Sequence, residues 1–104
     1  MGPQEIYITH VIDEVNKKHY SLGVFSNLSR LKEAIREIYA QHKTRMIVNI
    51  EKVNVDIPFF KQEVRLDKFV VTRKGIELQN KKRKGEPTSF AISTRELKTL
   101  CRPF

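Results

Sequence analysis

The apolar residues of the chain change their spacing several times, and each change marks an element. "IYITHVI" (6–12) is rich in β-branched residues, and "HYSLGVF" (19–25) places Tyr20, Leu22 and Val24 at period two, on one face of a strand. The polar "DEVNKK" between them supplies a turn, so the two segments predict a hairpin. The period then shifts to that of a helix. Leu28, Leu31, Ala34, Ile35, Ile38, Tyr39 and His42 fall within one apolar arc, with Ser26 or Asn27 as N-cap.

Period two returns in "RMIVNIEKVNVDI" (45–57), but its phase changes. Met46, Val48 and Ile50 share one parity, and Val53, Val55 and Ile57 share the other. A one-residue slip turns side chains to the opposite face, so the pattern predicts a bulge near Glu51 and Lys52, or a sharp bend. Strand, helix and strand in that order predict a right-handed crossover if the two strands are parallel neighbours. Pro58 ends the strand, and "PFFKQEVRL" reads as a connection. "KFVVTRKGIEL" (68–78) predicts a second hairpin, with Gly75 free to adopt the positive φ of a short turn. "TSFAIS" reads as a further short strand. After it, Ser93 and Glu96 have capping-box spacing, Leu97 and Leu100 make a small apolar face, and Pro103 stops a brief helix. The expected fold is α+β. It is a single domain over 1–104, built on a mainly antiparallel, twisted sheet of about five strands. One amphipathic helix (28–42) crosses the sheet, a short helix ends the chain, and 80–87 form a basic, flexible loop.

The strand ending in Gly-Val-Phe-Ser, followed at once by the Leu/Ala/Ile-patterned helix of "YSLGVFSNLSRLKEAI", resembles the N-terminal ββα unit of many small uncharacterised phage and bacterial proteins. The resemblance covers roughly the first 40 residues. It implies a small accessory protein and brings no active-site residue with it. The basic C-terminal third lies outside it.

Composition fits one soluble domain: 104 residues, 39% apolar and 31% charged. No apolar run reaches the ~18 residues of a membrane span, and neither a spanning helix nor a secretory signal is expected. With Cys101 as the single cysteine, no internal disulfide forms, and an intracellular protein is expected. Beside Leu100, Cys101 is expected to pack as a small hydrophobe. The net charge is +8 and unevenly spread. Residues 1–72 hold eleven Lys/Arg against nine Asp/Glu, and residues 73–104 hold nine against three. Such local charge draws acidic partners.

Little in the sequence points to catalysis. His10, His19 and His42 sit on separate elements without metal-ligand spacing, and no glycine-rich phosphate loop or activated nucleophile is present. Asp56 with Glu63 and Arg65 comes nearest to a metal-dependent nuclease, since two carboxylates hold Mg²⁺ and a cation steadies phosphate. A solvated cluster of charges explains the same residues more simply. No catalytic residue, metal or cofactor is expected.

Basic surface is the more informative feature. Lys32, Arg36, Tyr39 and Lys43 make a ridge along the helix, unless Tyr39 turns into the core. In the C-terminal third, Arg73 and Lys74 occupy a predicted turn, and Lys81, Lys82, Arg83 and Lys84 run together. Arg95, Lys98 and Arg102 belong to the last helix and tail. The four-residue run also resembles a nuclear import signal, relevant only in a eukaryotic host. No helix-turn-helix, zinc-finger or RRM signature accompanies these cations. The expected function is a non-enzymatic basic module that binds DNA, RNA or another polyanion through its C-terminal third. Such binding would be salt-sensitive and without sequence preference. The alternative is a phage or bacterial accessory protein acting on a protein partner through the sheet edge or the helix; a metal-dependent enzyme ranks third. No membrane partner is expected, and the oligomeric state is not legible in the sequence.

Overall fold

The period-two segments become strands and the two helical patterns become helices. The computed structural model describes residues 4–62, 64–79 and 94–101. In chain order these form β1 (Glu5–Asp13), β2 (Lys18–Phe25), α1 (Leu28–His42), β3 (Met46–Asn54), a 3-10 turn (Phe59–Lys61), β4 (Arg65–Thr72), β5 (Gly75–Leu78) and α2 (Thr94–Leu100). The strands build one five-stranded sheet in the order β2-β1-β3-β4-β5, antiparallel at every pairing. This is the expected α+β architecture. The "TSFAIS" segment, the 80–87 stretch and Pro103 lie outside the described residues.

Both β2 and β3 run opposite to β1, so they are parallel to each other but separated by it. The anticipated crossover between parallel neighbours therefore does not occur; the chain passes over β1 through α1. The helix lies on one face of the sheet because its apolar arc has a matching surface there. Leu31 and Ile35 are fully buried against a core containing Val11, Val48, Ile50 and Phe69. Asn27 caps α1: its Oδ1 accepts from the backbone N–H of Ser29 at 2.7 Å and of Arg30 at 3.4 Å. Replacing Asn27 with Ala is expected to lower stability by about 1 kcal/mol, read as an earlier urea midpoint with unchanged slope.

Two registers differ from those the sequence predicts. In β2 the pairing steps from Thr9–Gly23 to His10–Ser21, which leaves Leu22 as an extra residue in a bulge. Gly23 permits it, with φ +141° and a Phe25 ring carbon only 3.4 Å from where a Cβ would stand. The parity inverts after the bulge. Tyr20, Leu22 and Phe25 pack on the core, whereas Val24 is 59% exposed. In β3, by contrast, the expected bulge is absent, and pairing with β1 continues unbroken from Met46 to Asn54. The phase change arises because the strand is apolar on both faces. Met46, Val48 and Ile50 face the helices; Ile47 and Val53 point the other way and are still only 5% and 3% exposed.

The connection after β3 is held by Gln62. Its Oε1 accepts from the Asn54 backbone N–H at 2.8 Å, and its Nε2 donates to the carbonyls of Asn54 at 3.1 Å and Ile57 at 2.7 Å. α2 completes the helical layer. Leu100 is fully buried in the core and Cys101 packs against it. Burial pushes the Cys101 thiol up, as expected for a packing residue.

Candidate functional site

Antiparallel order decides which loops meet. β1 runs towards Asp13 and β2 leaves from Lys18; α1 returns to the same end, β3 starts there, and β4 turns there into β5. The β1–β2 turn, the α1–β3 connection and the β4–β5 turn thus share one end of the sheet. Cross-strand pairs locate them: Lys18 opposes Asp13, Asp13 opposes Met46, and Met46 opposes Val71.

That end is strongly basic. Lys17, Lys18, Lys43, Arg45, Arg73 and Lys74 are all exposed there. Three strand spacings separate Lys18 from Val71, so the band is about 15 Å wide. Two carboxylates offset it only in part. Glu14 accepts from Arg45 Nη1 at 2.8 Å, which ties the first turn to the α1–β3 connection. Asp13 is buried and serves the turn itself. Its Oδ2 accepts from Asn16 Nδ2 at 2.8 Å, and its Oδ1 from the N–H groups of Asn16 and Val15 at 3.1 Å. These bonds, Asn16 first, hold the Asp13 carboxyl below its usual range. Lys43 ends α1 with φ 52° while its N–H donates to the Tyr39 carbonyl at 2.7 Å.

The remaining predicted cations are placed elsewhere. Arg95 and Lys98 are exposed on α2, whose Glu96 reaches Lys52 at the far end of β3. Lys52 lies six strand positions from Met46, so about 20 Å of strand separates that contact from the basic end. On α1, Lys32 donates to the Thr99 carbonyl at 3.1 Å and Tyr39 packs on the core. Arg36 stays exposed, and Lys43 joins the basic end. The helical ridge is therefore divided between a structural contact, the core and the sheet end. Lys81, Lys82, Arg83, Lys84 and Arg102 lie outside the described residues.

Asp56 is exposed in a turn at φ 65°, and Glu63 lies outside the described residues. The His42 ring stands 5.3 Å from that of Tyr20, and His10 Nδ1 is 3.3 Å from Ser21 Oγ. Among the described residues, no three His, Cys, Asp or Glu side chains are grouped to hold a metal ion. Nor is any helix there long and apolar enough to cross a membrane.

No protein-family model, curated protein or solved structure matches the chain. Function is accordingly read from its surfaces. Lys17, Lys18 and Arg45 do not stand out in the sequence because nearby acids mask them in a charge balance taken along the chain. The signal that finds them is connectivity. In this antiparallel sheet, with α1 returning the chain between β2 and β3, the connections alternate between the two ends, and "NKK", "HKTR" and "TRK" all fall at one end.

Proposed function

We propose that the protein is a non-enzymatic module that binds the backbone of a nucleic acid, without sequence preference, at the basic end of its sheet. One observation carries this reading: Arg73 and Lys74 stand in line with Lys17, Lys18, Lys43 and Arg45, all exposed. These cations come from three separate connections, so the sheet presents them together without relying on one continuous run. Phosphates recur every few ångströms along a strand, and a band about 15 Å wide can meet several at once. Such contacts release counterions and position the chain, but read no bases.

Titration of fluorescent DNA and RNA oligonucleotides at 50 and 200 mM salt tests this reading. With about four to six phosphate contacts, the association constant should fall roughly 10²–10³-fold between the two conditions. The double substitution R73S/K74S should weaken binding equally for unrelated sequences and flatten the logarithmic salt slope by about two. A chain with residues 81–84 changed to Ser measures what that run adds. Salt-independent binding, or R73S/K74S and K17S/K18S variants that bind like the parent, would exclude the basic end as the contact.

A further inference from the structure

The face of the sheet opposite the helices carries no element of the described chain, yet it is not a solvent face in composition. In an antiparallel sheet covered on one side, the outer residues are normally polar. Here β1 presents Ile6, Ile8 and Ile12 outward, each half-buried, beside Ile47 and Val53 of β3, which point the same way but are themselves buried. Val24 and Leu66, at 59% and 41% exposure, project from the flanking strands opposite Ile8 and Glu51. These apolar side chains lie on both sides of a polar row, Ser21, His10, Asn49 and Lys68, and apolar residues so placed on an outer sheet face mark an interface.

We infer that this face is the interface of a symmetric homodimer, covered by the same face of a second copy. Charge argues for a second copy. The chain carries +8, so most of its surface repels an identical molecule. The ionised residues that the register places on this face are Lys68 against Glu51 and Glu77, a patch with no basic excess. Glu51 and Lys68 lie on adjacent strands one row apart, near the middle of the sheet. A two-fold axis passing there brings Glu51 of each copy within reach of Lys68 of the other, so the favourable contact occurs twice.

Shape agrees with charge. A groove of about 390 Å³, bordered by His10, Ile12, His19, Asn49 and Glu51, lies on the same face as the projecting Val24. Protrusion and recess on one surface are what an isologous interface needs. Five strands by about six residues cover about 500 Å² of plane per copy, or about 1,000 Å² in all before corrugation is counted. That lies just below the usual range for stable complexes and fits a dimer with a dissociation constant on the order of micromolar. Edge-to-edge pairing along β2 is disfavoured, because the bulge at Leu22–Gly23 interrupts its hydrogen-bonding edge.

Sedimentation equilibrium of the full chain across a dilution series tests the inference. The mass should double from 12.2 kDa as concentration rises into the micromolar range. The double variant V24D/L66D alters two exposed positions, so it should keep the parent's thermal midpoint while weakening dimerisation at least ~100-fold. E51K should weaken the dimer, and adding K68E should restore it. A parent chain that stays monomeric at about 0.2 mM, well above the expected dissociation constant, would overturn the inference. So would a dimer indifferent to both V24D/L66D and E51K, since that would place the contact elsewhere.

Discussion

Replacing Phe69 with Ala should remove most of the stability of this domain. Phe69 lies on β4, is fully buried, and heads the fully buried side chains by volume. Its strand neighbours are Val48 on β3 and Leu78 on β5, and it belongs to the same core as Leu31, Ile35 and Leu100 of the two helices. Truncation strips the sheet and the helical layer of a shared contact, and the backbone on both sides is held by cross-strand pairing that resists collapse into the space. Substitutions of this kind cost roughly 3–5 kcal/mol. A chain of 104 residues has a total stability of roughly 5–15 kcal/mol, and a single modest core places it in the lower part of that range. The expected result is a urea midpoint close to zero, with a large unfolded fraction at 25 °C. Phe69→Leu, which refills most of the volume, should retain a cooperative transition. A Phe69→Ala variant as stable as its parent would mean that the core lies elsewhere.

The core was legible wherever one period ran unbroken. α1 shows its buried stripe in the spacing of Leu28, Leu31, Ile35 and Ile38 because a helix packed on one side has one apolar face. The strands were harder to assign for two separate reasons. In β2 the sequence "SLGVF" keeps period two while the backbone does not: Leu22 bulges, Gly23 takes a φ few other residues adopt, and Phe25 replaces Val24 on the core. In β3 the backbone is regular and the sequence changes phase, because both faces need apolar residues. A phase change alone does not separate a bulge from a strand apolar on both sides. The discriminating feature is the glycine, present in β2 and absent from β3.

Charge was legible as a quantity and not as a place. The C-terminal excess pointed to Arg73, Lys74, Arg95 and Lys98 together, but the fold sends the first two to one end of the sheet and ties α2 near the other. Glu96 shows why. Its spacing from Ser93 predicted a cap, and Ser93 lies outside the described residues; the Glu96 carboxylate accepts from the Tyr7 hydroxyl and from Lys52 Nζ, the latter at 2.9 Å. Lys52 also pairs with Glu5 at 2.8 Å. Long-range partners separated by 44 and 89 positions leave no trace in local spacing. Lys52 is accordingly a structural cation. Burial opposes its charge, but the pairs with Glu5 and Glu96 outweigh that cost and raise its pKa.

The same cluster makes stability sensitive to alkali. Burial first, then the hydrogen bond to Glu96, pushes the Tyr7 hydroxyl from its ordinary 10.0 up to about 12. Tyr7 is only 7% exposed, so solvent screens the effect little. Between those values the unfolded chain has released the phenolic proton and the folded chain retains it. Stability therefore falls as pH rises. The contribution is complete below pH 10 and lost by about pH 12. Each pKa unit is worth ~1.4 kcal/mol, so Tyr7 accounts for roughly 2–3 kcal/mol across that window. Lys52, also raised, acts in the same direction. Tyr7→Phe isolates the phenol: it should be less stable than the parent at pH 8 by roughly 1.5–3 kcal/mol, the usual cost of losing a hydrogen bond to a charged group. That difference should shrink steadily above pH 10, leaving in both chains the slope that belongs to Lys52. Urea unfolding of the two chains at intervals from pH 8 to 11.5 measures the gap. A gap that stayed constant would show that α2 is held to the sheet without the phenol donating to Glu96.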